Sequence, residues 1–181
     1  TAALLEHADM TGAPRTLLDL GGESMTNIDR FTCSDSSIAT AVAESCNTVI
    51  GYGALQVGQD ALHRVARTYF GVDSRNGAEV QTTSALDVST GMDGRLTRGG
   101  LARTAIGQQE VRATTLGVAT FGEVIAASAN GKTALKPRLV VGVCDDGTLR
   151  RRRSENLAPK RVDREVARKM LAAMGRGARG G

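Results

Sequence analysis

The sequence has no tryptophan, two tyrosines and three phenylalanines in 181 residues, so aromatic side chains cannot dominate its core. Packing falls instead to Ala, Val, Leu and Ile. At 41% hydrophobic residues there is enough apolar side chain for one globular domain, or a large piece of one. Proline is scarce, at 3 against 22 glycines, a balance that favours flexible turns over rigid ones. No apolar run approaches the ~18–20 residues of a membrane span, and no signal-peptide pattern is present. The first residue is Thr1 rather than methionine, so the chain reads as a fragment, with any targeting or anchoring segment expected upstream.

Metal-binding patterns are also missing. Cys33, Cys46 and Cys144 make an odd count with no C-x-x-C, which indicates neither a zinc site nor a closed disulfide framework. A Cys33–Cys46 bridge is compatible with the sequence but not required by it. His7 and His63 are too isolated to argue for a metal, and no cofactor is expected. The net charge of +4 conceals a polarity: from Arg150 onward there are 11 Lys/Arg and 3 Asp/Glu, leaving the first 149 residues at −4. A basic end could meet nucleic acid or anionic lipid. No aromatic is interleaved for base stacking, so it reads as a solvated face or disordered end, with no nucleic-acid partner.

What is present reads as mostly helix with one late hairpin, and no internal repeat. Residues 1–10 resemble the later part of a helix, stopped by Thr11-Gly12-Ala13-Pro14. Residues 15–35 are turn-rich and read as an irregular connector. Ser36 or Ser37 then caps a short helix to Glu44, and helix resumes at residues 48–55 despite two glycines. Asp60 starts a better helix, striped by Leu62, Val65, Ala66 and Tyr69 and ended by Phe70-Gly71. Residues 72–98 lack long periodicity and read as loop. Thr114 or Thr115 opens the strongest helix, to about Ala129, stopped by Asn130-Gly131. Glu123 is its only charged residue, which predicts burial around most of its circumference. Residues 138–143 (RLVVGV) form the clearest strand, and Asp145-Asp146-Gly147 is hairpin chemistry returning it along residues 148–151. Val162-Asp163 caps a helix through Met174, which gives a domain over residues 1–174 and a disordered Gly/Arg-rich tail over 175–181.

The stretch that carries chemistry is Ala41-Val42-Ala43-Glu44-Ser45-Cys46-Asn47-Thr48. Residues i and i+2 do not share a face of a regular helix. Ser45 and Asn47 can therefore converge only if the backbone leaves helical geometry between them. Such a break presents a hydroxyl able to pass a proton and an amide able to hold a carbonyl.

In context the triplet resembles one element of the penicillin-interactive serine enzymes, whose other elements are an S-x-x-K nucleophile and a K-T-G strand. The order of four blocks is similar to the transpeptidase domain of class B penicillin-binding proteins, of the actinobacterial type. The blocks are ESCNT at 44–48, YFG at 69–71, AIGQQEVRATTL at 105–116 and ANGKTALKPRLV at 129–140. Residues 1–5 resemble the segment just after S-x-x-K, and residues 162–174 the helix before K-T-G, so the resemblance implies a domain truncated at both ends. No S-x-x-K, K-T-G or K-S-G occurs in these residues. Lys132-Thr133-Ala134 imitates K-T-G but falls where the family has a Gly-rich turn. Gln109 and Thr115 replace a common Gly and Pro.

The resemblance implies an α+β, mostly helical fold: part of the serine β-lactamase-like transpeptidase domain, chiefly its helical subdomain. It implies a peptidoglycan D,D-transpeptidase-like function in which Ser45 relays a proton and Asn47 grips the donor peptide. Peptidoglycan stem peptides and β-lactams would be the ligands, with other cell-wall synthesis proteins as partners, at the extracytoplasmic face of the plasma membrane. One of three catalytic elements is present, so the chain is expected to be inactive by itself. A non-catalytic cell-wall scaffold is the alternative. A nucleotide-binding reading rests on Ala126–Thr133, a relaxed phosphate loop, but that segment follows a predicted helix rather than a strand.

Overall fold

The computed structural model describes residues 1–72, 88–89, 94–138 and 140–180. Most of the segment read as loop, residues 72–98, lies outside the described residues. The order of elements is α1 (Ala2–His7), β1 (Leu17–Asp19), β2 (Ser24–Thr26), α2 (Ile38–Ala43), α3 (Asn47–Val57), α4 (Gln59–Phe70) and β3 (Val88–Ser89). It continues with α5 (Arg98–Ala105), β4 (Arg112–Ala113), α6 (Thr115–Ala129), β5 (Gly142–Asp145), β6 (Thr148–Arg151) and α7 (Arg164–Gly180). The described strands form three antiparallel pairs, β1–β2, β3–β4 and β5–β6. Around them the chain is mostly helical, the α+β class the sequence implies.

Small aliphatic side chains build the core, as the aromatic shortage demands. Leu4, Cys33, Ile38, Ala41, Cys46 and Val49 form one cluster under α1, α2 and α3, while Val124, Leu157, Val162 and Ala167 form another between α6 and α7. Two of the few aromatics, Phe70 and Phe121, meet edge-to-face with centroids 5.4 Å apart and join α4 to α6.

Helix α3 tolerates Gly51 and Gly53 because its neighbours approach too closely for side chains. A Cβ on Gly51 would lie 2.9 Å from Met25 Sδ and 3.1 Å from Leu18 Cδ2, and one on Gly53 3.0 Å from Met10 Sδ. The glycines let β1, β2 and α1 pack directly on the helix that follows Ser45.

Several expectations shift. The "irregular connector" contains the hairpin β1–β2, paired Leu17 with Thr26 through Asp19 with Ser24; its strands are too short to show a convincing alternation. The eight-residue α5 has no sequence stripe and was not expected. Helix α6 starts at its Thr114 cap as predicted, but Leu116 (36% exposed) and Val118 (56%) face outward. Burial is one-sided because α7 and α4 cover a single face. The late strand starts at Gly142 rather than Arg138, and its two-residue turn has positive φ at Asp146 (48°) and Gly147 (76°), the geometry that Asp-Gly favours. Helix α7 continues past Met174 to Gly180, where Gly177 lets it pack on the backbone of Ala43. Among the described residues no helix is long and apolar enough to cross a membrane.

Candidate active site

Helix α2 is short because both its ends are fixed by side chains. Ser37 Oγ accepts the Thr40 amide at 3.1 Å, and Asp35 accepts the Ser37 amide at 2.6 Å and the Thr40 hydroxyl at 2.9 Å. Six residues later the helix stops. Glu44 is its C-cap, Ser45 takes φ 57°, and the Cys46 amide donates to Ala41 O at 2.8 Å. This is a Schellman closure, in which one left-handed residue lets the last turn satisfy its carbonyls.

Two other helices end the same way: α5 and α6 place Gly107 (φ 80°) and Gly131 (φ 73°) one residue past the C-cap, with closing bonds Gln108 N to Arg103 O and Lys132 N to Ala127 O. Helix α4 also ends on a left-handed glycine, Gly71 (φ 65°), but as its C-cap, with Val72 N reaching back to Ala66 O. Glycine is the unstrained choice there, whereas an L side chain in this conformation costs roughly 1–2 kcal/mol. Ser45 is the exception, and its neighbours over-determine it. Cys46 is disulfide-bonded to Cys33. The Glu44 carboxylate accepts the Ser34 amide at 2.9 Å and also the Ser34 hydroxyl. Helix α3 begins two residues beyond Ser45.

The break predicted between Ser45 and Asn47 is therefore present. Ser45 is exposed, and its hydroxyl has no hydrogen-bond partner among the described residues. Asn47 is half-buried as the first residue of α3, and its Nδ2 donates to Thr26 O at 3.3 Å. The cavities among the described residues lie elsewhere. One of about 560 Å³ is lined by Gln59, Arg95 and Arg98; another, of about 400 Å³, is apolar and lined by Val65, Phe70, Phe121 and Met170. Neither is lined by Ser45 or Asn47.

Sequence reasoning left the bridge Cys33–Cys46 open, and the structure forms it. The two sulfurs and a Glu44 oxygen lie within 4.8 Å of one another, a spacing that suits a cation. Both thiolates are consumed by the disulfide, however, so the cluster is not a metal site in this state. Lys132-Thr133-Ala134 is not a strand: it is the turn after α6, with Ala134 buried. The same segment follows a helix and opens none, which removes the geometry a phosphate loop needs.

The chain matches penicillin-binding protein A of Mycobacterium tuberculosis, 28% identical over 98% of this chain with a TM-score of 0.75. Its penicillin G acyl-enzyme complex matches at 27% identity over the same 98% with a TM-score of 0.78, and its imipenem acyl-enzyme complex at 27% identity and 0.74. The chain carries part of a penicillin-binding-protein transpeptidase fold. It spans 40–41% of the length of those solved chains. No protein-family model matches the sequence, and no curated protein matches it closely. Within this penicillin-binding-protein fold, sequence reasoning missed Asn27, a buried side chain beneath the triplet. No periodicity or motif marks it, since its partners come from segments up to 21 residues away.

Proposed function

We propose that this chain supplies the S-x-N element of a penicillin-binding, D,D-transpeptidase-like domain that cross-links peptidoglycan peptides by a serine acyl-enzyme route. Ser45 relays a proton between the nucleophile's lysine and the leaving amine. Asn47 holds the donor peptide's backbone and fixes its geometry. The observation that carries this reading is the serine at a left-handed helix terminus where two sister helices use glycine. Strain of this kind, kept at an exposed polar side chain, is characteristic of sites where geometry serves chemistry rather than stability. The acyl-enzyme complexes of penicillin-binding protein A support β-lactams as the ligand class, and an extracytoplasmic setting is part of the same proposal.

No S-x-x-K occurs in these 181 residues, so the acylated serine must come from other residues, and the chain alone should not be labelled by a fluorescent penicillin. The relay role is tested by grafting the chain in place of the corresponding segment of penicillin-binding protein A. Ser45→Ala in that hybrid should slow penicillin G acylation by about 10²–10⁴-fold. Equal acylation rates with and without the hydroxyl would remove Ser45 from the mechanism.

A further inference from the structure

The residue beneath the triplet is Asn27, 3% exposed and with both ends of its carboxamide engaged. Nδ2 donates to Arg15 O at 2.8 Å and Phe31 O at 2.9 Å and lies 3.3 Å from Cys33 Sγ. Oδ1 accepts the Thr48 amide at 3.1 Å and the Thr48 hydroxyl at 3.4 Å.

Thr48 is the second residue of α3, one of the positions whose amide has no partner inside the helix. A cap side chain normally accepts it from the residue just before the helix. Here that residue is Cys46, whose sulfur is tied to Cys33 and makes no cap bond. Asn27 provides the missing acceptor from 21 residues away. The next residue back, Thr26, accepts Asn47 Nδ2 through its carbonyl. Two consecutive residues of one segment thus hold the first two residues of α3.

Asn27 is itself fixed by its donor bonds to two loop carbonyls, and the loop beyond it is wound tightly, with Asp29 at φ 51° and Arg30 at φ 56°. Aspartate would turn a carboxyl group toward those carbonyls. Alanine would leave the buried Thr48 amide unpaired, which typically costs more than the bond contributes.

We propose that Asn27 is a positioning residue: a cap supplied in trans along the chain that sets where α3 starts, and so where the Asn47 carboxamide stands beside Ser45. The proposal rests on the reading of Ser45 and Asn47 given above, but its primary test does not involve penicillin. Hydrogen exchange and side-chain amide resonances are measured by NMR on the 181-residue protein and two variants. In Asn27→Ala the Thr48 amide should exchange roughly 10-fold faster, the scale of losing a helix cap. The Asn47 side-chain resonances should shift, with α7 exchange unchanged. In the isosteric Asn27→Asp, burial against two carbonyl oxygens keeps the carboxyl protonated, so that its O–H donates to one of them while the other oxygen accepts from Thr48. It should restore Thr48 protection to within about threefold of wild type, a rescue that simple space-filling would not produce.

Wild-type Thr48 exchange and Asn47 resonances in the alanine variant would overturn the proposal. So would an aspartate variant with Thr48 exchange accelerated more than about 10-fold, a result that decides even if the alanine variant fails to fold. Should these readouts hold while Ser45→Ala leaves hybrid acylation unchanged, the cap stands and the transpeptidase reading fails.

Discussion

Cys46, the central residue of the Ser45–Asn47 triplet, is covalently joined to Cys33, 13 residues earlier, with their Cα atoms 6.1 Å apart. The bond ties the turn that carries Ser45 to the loop that carries Asn27 and Ser34. Both half-cystines are fully buried, so the link belongs to the core as well as to the site.

Removing that bond should destabilise the protein by about 2–3 kcal/mol, the range for closing a loop of this length. The change should be concentrated at the turn. Urea unfolding of the oxidised protein and of Cys33→Ser/Cys46→Ser checks the magnitude. An unchanged midpoint would mean that packing and the Glu44–Ser34 hydrogen bonds already hold the turn.

Ser45→Gly should be more stable than wild type, by about 0.5–1 kcal/mol, because glycine occupies left-handed geometry without the Cβ penalty. The gain is the smaller part of that penalty, since glycine also frees the unfolded chain. Ser45→Ala keeps the strain and should not share the gain. Thermal melts of both variants separate the effects, and a glycine variant that melts lower than wild type would contradict the assignment of strain to Ser45.

Glycines in two helices should respond oppositely to alanine. Gly122, exposed in α6, has nothing within 4 Å of an added Cβ, so Gly122→Ala should stabilise by about 0.5–1 kcal/mol through helix propensity. At Gly51 the same propensity gain is opposed by contacts of 2.9 Å to Met25 Sδ, 3.1 Å to Leu18 Cδ2 and 3.3 Å to Ala102 Cβ. Met25 can give way, but Ala102 has no rotamer to change. Overpacking of about 1–3 kcal/mol should win, and Gly51→Ala should unfold at lower urea.

Acid should loosen the helix starts. Hydrogen bonds from Ser37, then from Thr40, hold the Asp35 carboxyl below the usual carboxylate range. The amides of Val166 and Glu165 do the same for Asp163 at the start of α7. A carboxylate whose folded pKa is depressed contributes stability that is complete above its unfolded value, near 3.9, and is lost as pH falls through the folded value. The contribution of these two carboxylates to the melting temperature should thus be constant from pH 7 to about 5 and decline below about 4. Asp35→Asn should flatten part of that decline, and an identical pH profile would exclude the cap as its source.

The sequence by itself determined the features that rest on near neighbours. Ser37 caps α2 because its acceptor is three residues from the amide it binds. Phe70-Gly71 and Asn130-Gly131 stop helices because glycine enters left-handed geometry freely. Asp146-Gly147 turns the late hairpin for the same reason. The helix break at Ser45 belongs to this class too. Only the tertiary structure decided the rest: the β1–β2 hairpin, the one-sided burial of α6, the Cys33–Cys46 bond and the capping of α3 by Asn27. Each depends on which segment lies opposite, a choice made by packing between residues far apart in sequence. Local propensity carries no record of that choice, so a buried polar side chain such as Asn27 looks like any other turn residue until its partners close around it.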